Sequence, residues 1–395
     1  MPAKVEALGA AAALMGAFAE RTGLGSGPPS SRRYLWTDAF AVCNLLGLAR
    51  ETGERRWAEL ALLLVDEVHR VLGRHRPDDV RTGWISGLGE REGASHPTRG
   101  GLRIGKPLPE RRADEPFDER LEWERDGQYF HYLTKWMHAL DQVSRATGEP
   151  RYNVWARELA AAAHAAFVRA EPASGARRMA WKLSTDLARP LVPSMGQHDP
   201  LDGLFTCLQL EAMAAELGTL ETGPRLEAAV ADFASLLAAV ELRTADPLGL
   251  GGLLADAGRL AQLGHRADID GGALLERLLE AARTGLSAVQ AGHELRQSAD
   301  RRLAFRELGL AIGLSAVELL SERTAASALA RPRVREHVEA LARHASLGSA
   351  LVSFWSDPAH QASPTWPEHH DINAVMLATS LAPEGFLVLA QRPNG

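Results

Sequence analysis

Residues 123–140, WERDGQYFHYLTKWMHAL, decide the fold. A charged turn, Glu124-Arg125-Asp126-Gly127, runs into a segment with Tyr129, Phe130, Tyr132, Leu133, Trp136, Met137 and Leu140 on nearly every side of a helix. Gln128, His131, Lys135 and His138 leave only a narrow polar stripe. A helix that is apolar almost all round is a buried one. It is therefore expected inside the protein, with its acidic N-terminal turn opening onto an internal space.

The same unit recurs along the chain. The segment continues through RATGEPRYNVWARELA (145–160), which echoes ARETGERRWAELAL (49–62), so an apolar helix is followed by an amphipathic one in both places. In the first copy, after a Pro/Ser turn at Gly27–Ser31, Thr37 or Asp38 is the expected cap and Gly53 the expected stop. Further copies start at Asp199, Asp246 and Arg301, and a lone helix runs over 370–381. The helix at 3–21 has no partner next to it either. Five hairpins plus a pair made by the two ends describe one all-α domain over 1–395. It is a closed α/α toroid of six helical hairpins (twelve helices), in which helix 3–21 pairs with helix 370–381. An open solenoid shares the period, but neither end looks like a polar cap.

Composition narrows the function classes. The 395 residues are 46% hydrophobic and 24% charged with a net charge of −6, ordinary for a soluble protein and without the basic excess that nucleic acid demands. Two cysteines, Cys43 and Cys207, lie in apolar helical patterns and fit a reducing compartment. The N-terminal apolar run is bracketed by Glu6 and Glu20 and reads as a helix, not a signal peptide. No apolar stretch reaches the roughly 20 residues of a membrane span. No nucleic-acid or membrane partner is expected, the expected location is cytoplasmic, and the oligomeric state is left open.

In this architecture the chain resembles the six-hairpin glycosidase-like superfamily, which includes glucosidases, unsaturated glucuronyl hydrolases and N-acylglucosamine or cellobiose epimerases. The resemblance covers nearly the whole chain and is one of repeat pattern, without those families' catalytic motifs intact. It implies a small carbohydrate or related polar ligand.

The N-terminal ends of inner helices converge on one mouth of a toroid, so residues there are the first candidates. Acidic residues recur at these points, and helix capping explains some of them, Asp246 above all and Asp38 next. Three turns carry more than a cap requires: ERDGQYFHY around Asp126, SMGQHDPLDG around Asp199 and Asp202, and WPEHHDINA around Asp371. Hydrolysis needs two carboxyl groups flanking the scissile bond, and Asp126 with Asp371 or Asp199 is the expected pair. Epimerisation or isomerisation needs a proton-transfer pair, for which His198 and His370 stand before acids; the superfamily's epimerases pair histidines within different motifs. A toroid that binds a ligand without catalysis is the third reading. Trp36, Asp38, Arg125, Tyr129, His131, Trp366, Glu368 and His369 are expected to contact the ligand.

Residues 75–124 are a long irregular loop, expected as a lid over the mouth, bringing Trp84, His96, Arg99, Arg103 and Lys106 to an anionic group. A disordered insertion is the alternative. Within it, GGLRIGKP (100–107) nearly matches a phosphate-binding loop, but Pro107 replaces the Mg²⁺-holding hydroxyl and no strand precedes it. No cofactor is expected. His198, Asp199, His369, His370 and Asp371 have ligand chemistry, but neighbours on a helix point about 100° apart, and no metal site is expected.

Overall fold

In a computed structural model, residues 2–25, 32–170, 175–192, 194–264, 270–324 and 331–389 are described. The Pro/Ser turn at Gly27–Ser31 lies outside them. Most described residues are helical, with long helices in each copy of the repeat, although the second half of the copy that starts at Arg301 is split into Pro332–Ala342 and Ala345–Ser356. The first and last span Pro2–Arg21 and His370–Leu381. Among the described residues no helix is long and apolar enough to cross a membrane.

The chain divides into two units, residues 1–19, 47–54 and 241–389 and residues 20–46, 55–240 and 390–395. In the second unit, the helix Phe130–Thr147 buries nearly all its side chains, Trp136 and Leu133 completely, as its sequence demands. Gly148 ends it in the left-handed region at φ 72°, where glycine carries no Cβ penalty. Pro150–Phe167 folds back on it, and Asp199–Leu217 packs alongside. Phe130 meets Phe167 and Phe233 at ring distances of 5.4 and 5.5 Å. Gly203 admits Phe233, whose ring atoms would lie 2.9 Å from a Cβ there.

Two pairings tie polar side chains together inside this core. Trp136 Nε1 donates to Nε2 of His69 at 3.1 Å, and burial holds that imidazole neutral, its pKa lowered to about 3. Asp141 accepts from Arg145 at 2.7 Å and from Gln209 at 2.6 Å.

Two small antiparallel sheets interrupt the helices. Val168–Ala170 pairs with Arg177–Met179, while Lys182–Leu183 lies between Gln128–Tyr129 and Pro190–Val192. The second sheet places residues 181–183 against the start of the Phe130–Thr147 helix.

In the first unit, Pro247–Leu263 packs on both Gly271–Ala291 and Ala304–Thr324. The latter contact is backbone to backbone: a Cβ on Gly251 would lie 2.0 Å from the Gly309 carbonyl oxygen, and one on Gly313 would lie 2.6 Å from the Gly251 Cα. Asp246 caps its helix as expected, accepting from Gly249 N–H at 2.8 Å. Arg302 and Glu307 form a buried pair. The guanidinium lies over Phe354, and Glu307 also accepts from Trp355 Nε1 at 2.8 Å.

Candidate functional site

The long loop is ordered by the residues expected to carry the chemistry. Asp126 is 0% exposed and takes Arg103 Nη1 at 2.5 Å, with Arg76 Nη1 at 3.6 Å. Its other oxygen accepts from the backbone N–H groups of Gly105 and Gly127, both at 3.0 Å, and of Lys106 at 3.4 Å. Arg103 spends its remaining donors on the carbonyls of Arg74 and Val71, both at 2.7 Å. Gln128 likewise ties Leu102, Gly100 and Thr185 together. Arg125 pairs with Glu115 at 2.7 Å. Lys182 gives its donors to Glu122 and to the Arg125 carbonyl. These are fasteners. They close 75–124 onto the helix start and exclude the reading of a disordered insertion.

The near phosphate-binding loop has its own anion. Gly105, at φ 92°, brings its backbone N–H and that of Lys106 to the Asp126 carboxylate, which sits where a phosphate oxygen would be cradled. Trp84 is buried under Arg74, 4.4 Å from its ring, and Gly93 makes room for the indole. His96 and Arg99 hold Glu158 at 2.7 and 3.0 Å. Asp38, besides its place near Arg33 at 3.6 Å, accepts from the Tyr34 N–H at 3.1 Å. That helix starts at Leu35, ahead of the expected cap, and Gly53 stops it.

Beside these anchors lies an aromatic cluster. His131 stands 5.4 Å from Tyr129, 6.0 Å from Trp36, 4.8 Å from Tyr132 and 6.4 Å from Trp181 in a near-parallel stack. Tyr132 and Tyr34 join hydroxyls at 2.6 Å. Lys106 sets its ammonium 5.6 Å above the Tyr34 ring. Three of the chain's four tyrosines stand here, so the concentration exceeds composition. Trp36 and Tyr129 are buried beneath, while Tyr34, His131, Tyr132 and Trp181 are partly exposed. Trp36 Nε1 has no hydrogen-bond partner among the described residues. Burial pushes the Tyr34 hydroxyl up to about 12, and it raises that of Tyr129 too.

One helical turn along from His131, Lys135 pairs with Asp202 at 2.7 Å. Asp202 stands one turn into the helix from Asp199, whose carboxyl is 3% exposed and packs on Gly196, where a Cβ would come within 2.4 Å. Burial first, then the neighbouring Asp202 charge, raises Asp199 to about 8. Its Oδ2 meets no partner among the described residues. Asp199 is thus a neutral carboxyl at pH 7, and its Oδ2 is buried. Burial takes His131 the other way, to about 4, so the imidazole is neutral as well.

The third acidic turn belongs to the first unit. Trp366 is buried and stacks on Trp355 at 5.9 Å, and His369 meets Phe305 edge-on at 5.6 Å. His370 Nδ1 lies 3.6 Å from Asp371, and Glu368 is exposed. His198 precedes the Asp199 helix and its carbonyl accepts from Asp202 N–H at 3.0 Å. Among the described residues no group of three or more His, Cys, Asp or Glu side chains could hold a metal ion.

Sequence reasoning missed Trp181, Tyr34, Tyr132, Lys135 and Lys182 as participants. Lys135 was legible as part of the polar stripe shared with His131, four residues before it; Trp181 carried no such signal, because its place depends on a sheet of two- and three-residue strands. Compared with known families and proteins, no family model matches this chain and no curated protein matches it.

Proposed function

We propose that this protein is a carbohydrate-active enzyme, a glycoside hydrolase in which Asp199 is the general acid and the cluster of Trp36, Tyr129, His131, Tyr132 and Trp181 receives a sugar ring. The observation that carries the reading is the buried Asp199 carboxyl, held neutral to about pH 8 with Oδ2 unpartnered, next to the Lys135–Asp202 pair. A general acid must hold its proton at working pH and have it within reach of the leaving oxygen. Rings with apolar faces suit aromatic planes, and Asp202 is the second carboxylate. Asp126, whose oxygens are occupied by Arg103 and three backbone N–H groups, keeps the site's floor in shape.

The proposed frame is the closed α/α toroid of six hairpins, with Pro2–Arg21 completing the ring against His370–Leu381. It is supported by the long helices that, among the described residues, cover each copy of the repeat. Spin labels on those two helices should then lie near the roughly 8–10 Å of packed helix axes plus the label arms; labels separated by far more would open the ring.

The test is release of reducing sugar from a panel of aryl and alkyl glycosides. kcat/KM should fall as pH rises through about 8. Asp199→Asn should lower the rate on alkyl glycosides by about 10²–10⁴-fold. Dinitrophenyl glycosides, whose leaving group needs no proton, should suffer far less. Equal loss on both substrates refutes the acid role. A second reading, sugar epimerisation or isomerisation, is favoured by the neutral His131, which like Asp199 feels the charges of Asp202 and Lys135. Solvent deuterium entering a recovered sugar would select it. Binding that survives Asp199→Asn in a protein without turnover would select a non-catalytic binder.

A further inference from the structure

We propose that the site continues beyond the aromatic cluster into a second sugar subsite, built on Trp123 and Glu124, so that the ligand is an oligosaccharide of at least two rings. The inference rests on the carbohydrate reading above and names its substrate class. Trp181, part-exposed, stacks toward Tyr129 and His131 on one side and meets the Trp123 ring at 5.2 Å, nearly perpendicular, on the other. Trp123 is 44% exposed, although a large indole is normally buried. It is held there: the backbone N–H groups of Glu124 and Arg125 bond the carbonyls of Leu121 and Glu122, and Glu122 is fixed in turn by Lys182 and Arg111. An exposed aromatic plane on a rigid turn has lost the freedom to fold away from water. It is a platform.

Glu124 supplies the polar half of the subsite. Its side chain is exposed, and among the described residues no hydrogen bond or ion pair engages its carboxylate. Its charge nevertheless raises Tyr34, Tyr129 and Lys106, so it lies within electrostatic reach of the same cluster. Lys106 stays a separate cation, with no ion pair to Glu124 among the described residues. A carboxylate that accepts hydroxyl protons beside an indole that covers a ring's apolar face is the donor–acceptor pairing a pyranose presents. Aromatic continuity from Trp36 through His131 and Trp181 to Trp123 sets the direction of the chain of sugars.

A printed glycan array of mono- to tetrasaccharides, followed by titration of the best binder and its shorter homologues, tests the proposal. The expected result is tighter binding of the disaccharide or longer glycan than of the matching monosaccharide. Trp123→Ala should reduce that length preference by roughly three- to tenfold, with Trp123→Phe restoring part of it and Glu124→Gln weakening it again. Circular dichroism that matches wild type confirms that these surface variants fold. Monosaccharides binding as tightly as their longer homologues, or a length preference untouched by Trp123→Ala, overturns the subsite while leaving the carbohydrate reading in place. An array on which no glycan binds overturns both.

Discussion

Replacing Asp126 by Asn separates an anchor from an acid. The carboxylate is fully buried and neutralises Arg103 at 2.5 Å, and Arg103 is itself only 5% exposed. Asn keeps the shape and one acceptor oxygen, which still serves the Gly105 and Gly127 N–H groups. Its amide, however, turns donors toward a guanidinium that has only donors. Breaking a buried ion pair from one side costs about 3–5 kcal/mol. At roughly 2–4 °C per kcal/mol for a large domain, the melting temperature should fall by about 6–20 °C. The damage should be local at first. Residues 75–124, released from the helix start, should become the earliest site of cleavage by trypsin, which the segment's many arginines invite. Differential scanning fluorimetry and timed proteolysis read both effects. Removing the stranded cation as well, in Asp126→Asn with Arg103→Met, should return part of the stability. An Asp126→Asn protein with unchanged melting and an uncut loop would refute this reasoning, and loss of turnover in such a protein would make Asp126 the acid.

The pKa shifts lead to opposite pH dependences. Asp199 titrates near 8 when folded and near 4 when unfolded, so between those values only the unfolded state sheds its proton, and stability falls by about 1.4 kcal/mol per pH unit as pH rises. Asp199→Asn should therefore melt higher than wild type at pH 7–8 and equally at pH below about 4, as thermal scans across pH will show. His131 and His69, lowered to about 4 and about 3, remain neutral in the fold while the unfolded chain takes up protons below about 6.5. Acidification from pH 6.5 toward 4 should thus destabilise the protein, and His69→Gln should flatten that part of the profile in denaturant titrations. Gly105→Ala should cost about 1–3 kcal/mol and loosen the loop to protease, because φ is 92° and the added Cβ would lie 1.9 Å from the Arg33 carbonyl oxygen. Gly83→Ala, also at positive φ (80°) but with nothing near its Cβ, is the control with the smaller effect.

The helices were legible because their information is local. Apolar spacing from Tyr129 to Leu140, the glycine stop at Gly53, and the recurrence of the TGE turn need no knowledge of the rest of the chain. The site was legible only as a set of acidic turns. Asp126 and Asp199 look alike in sequence, each an acid at the start of an apolar helix. What separates them is what arrives through space: Arg103 and the Gly105 nest reach one, while Gly196 and the Asp202 charge face the other. Arg125 and Trp84 were expected at the ligand for the same reason and are committed to Glu115 and Arg74. Trp181 was hidden because strands as short as Lys182–Leu183 carry no alternation to detect.

The most direct test of the central claim is a carboxyl ¹³C NMR titration of the protein labelled at aspartate, with the Asp199 resonance assigned by its loss in Asp199→Asn. The Asp199 carboxyl should keep its proton through neutral pH and titrate with a midpoint near 8. An Asp199 resonance that titrates in the ordinary range, near 4, would show an ionised carboxylate at working pH and would contradict its role as the acid.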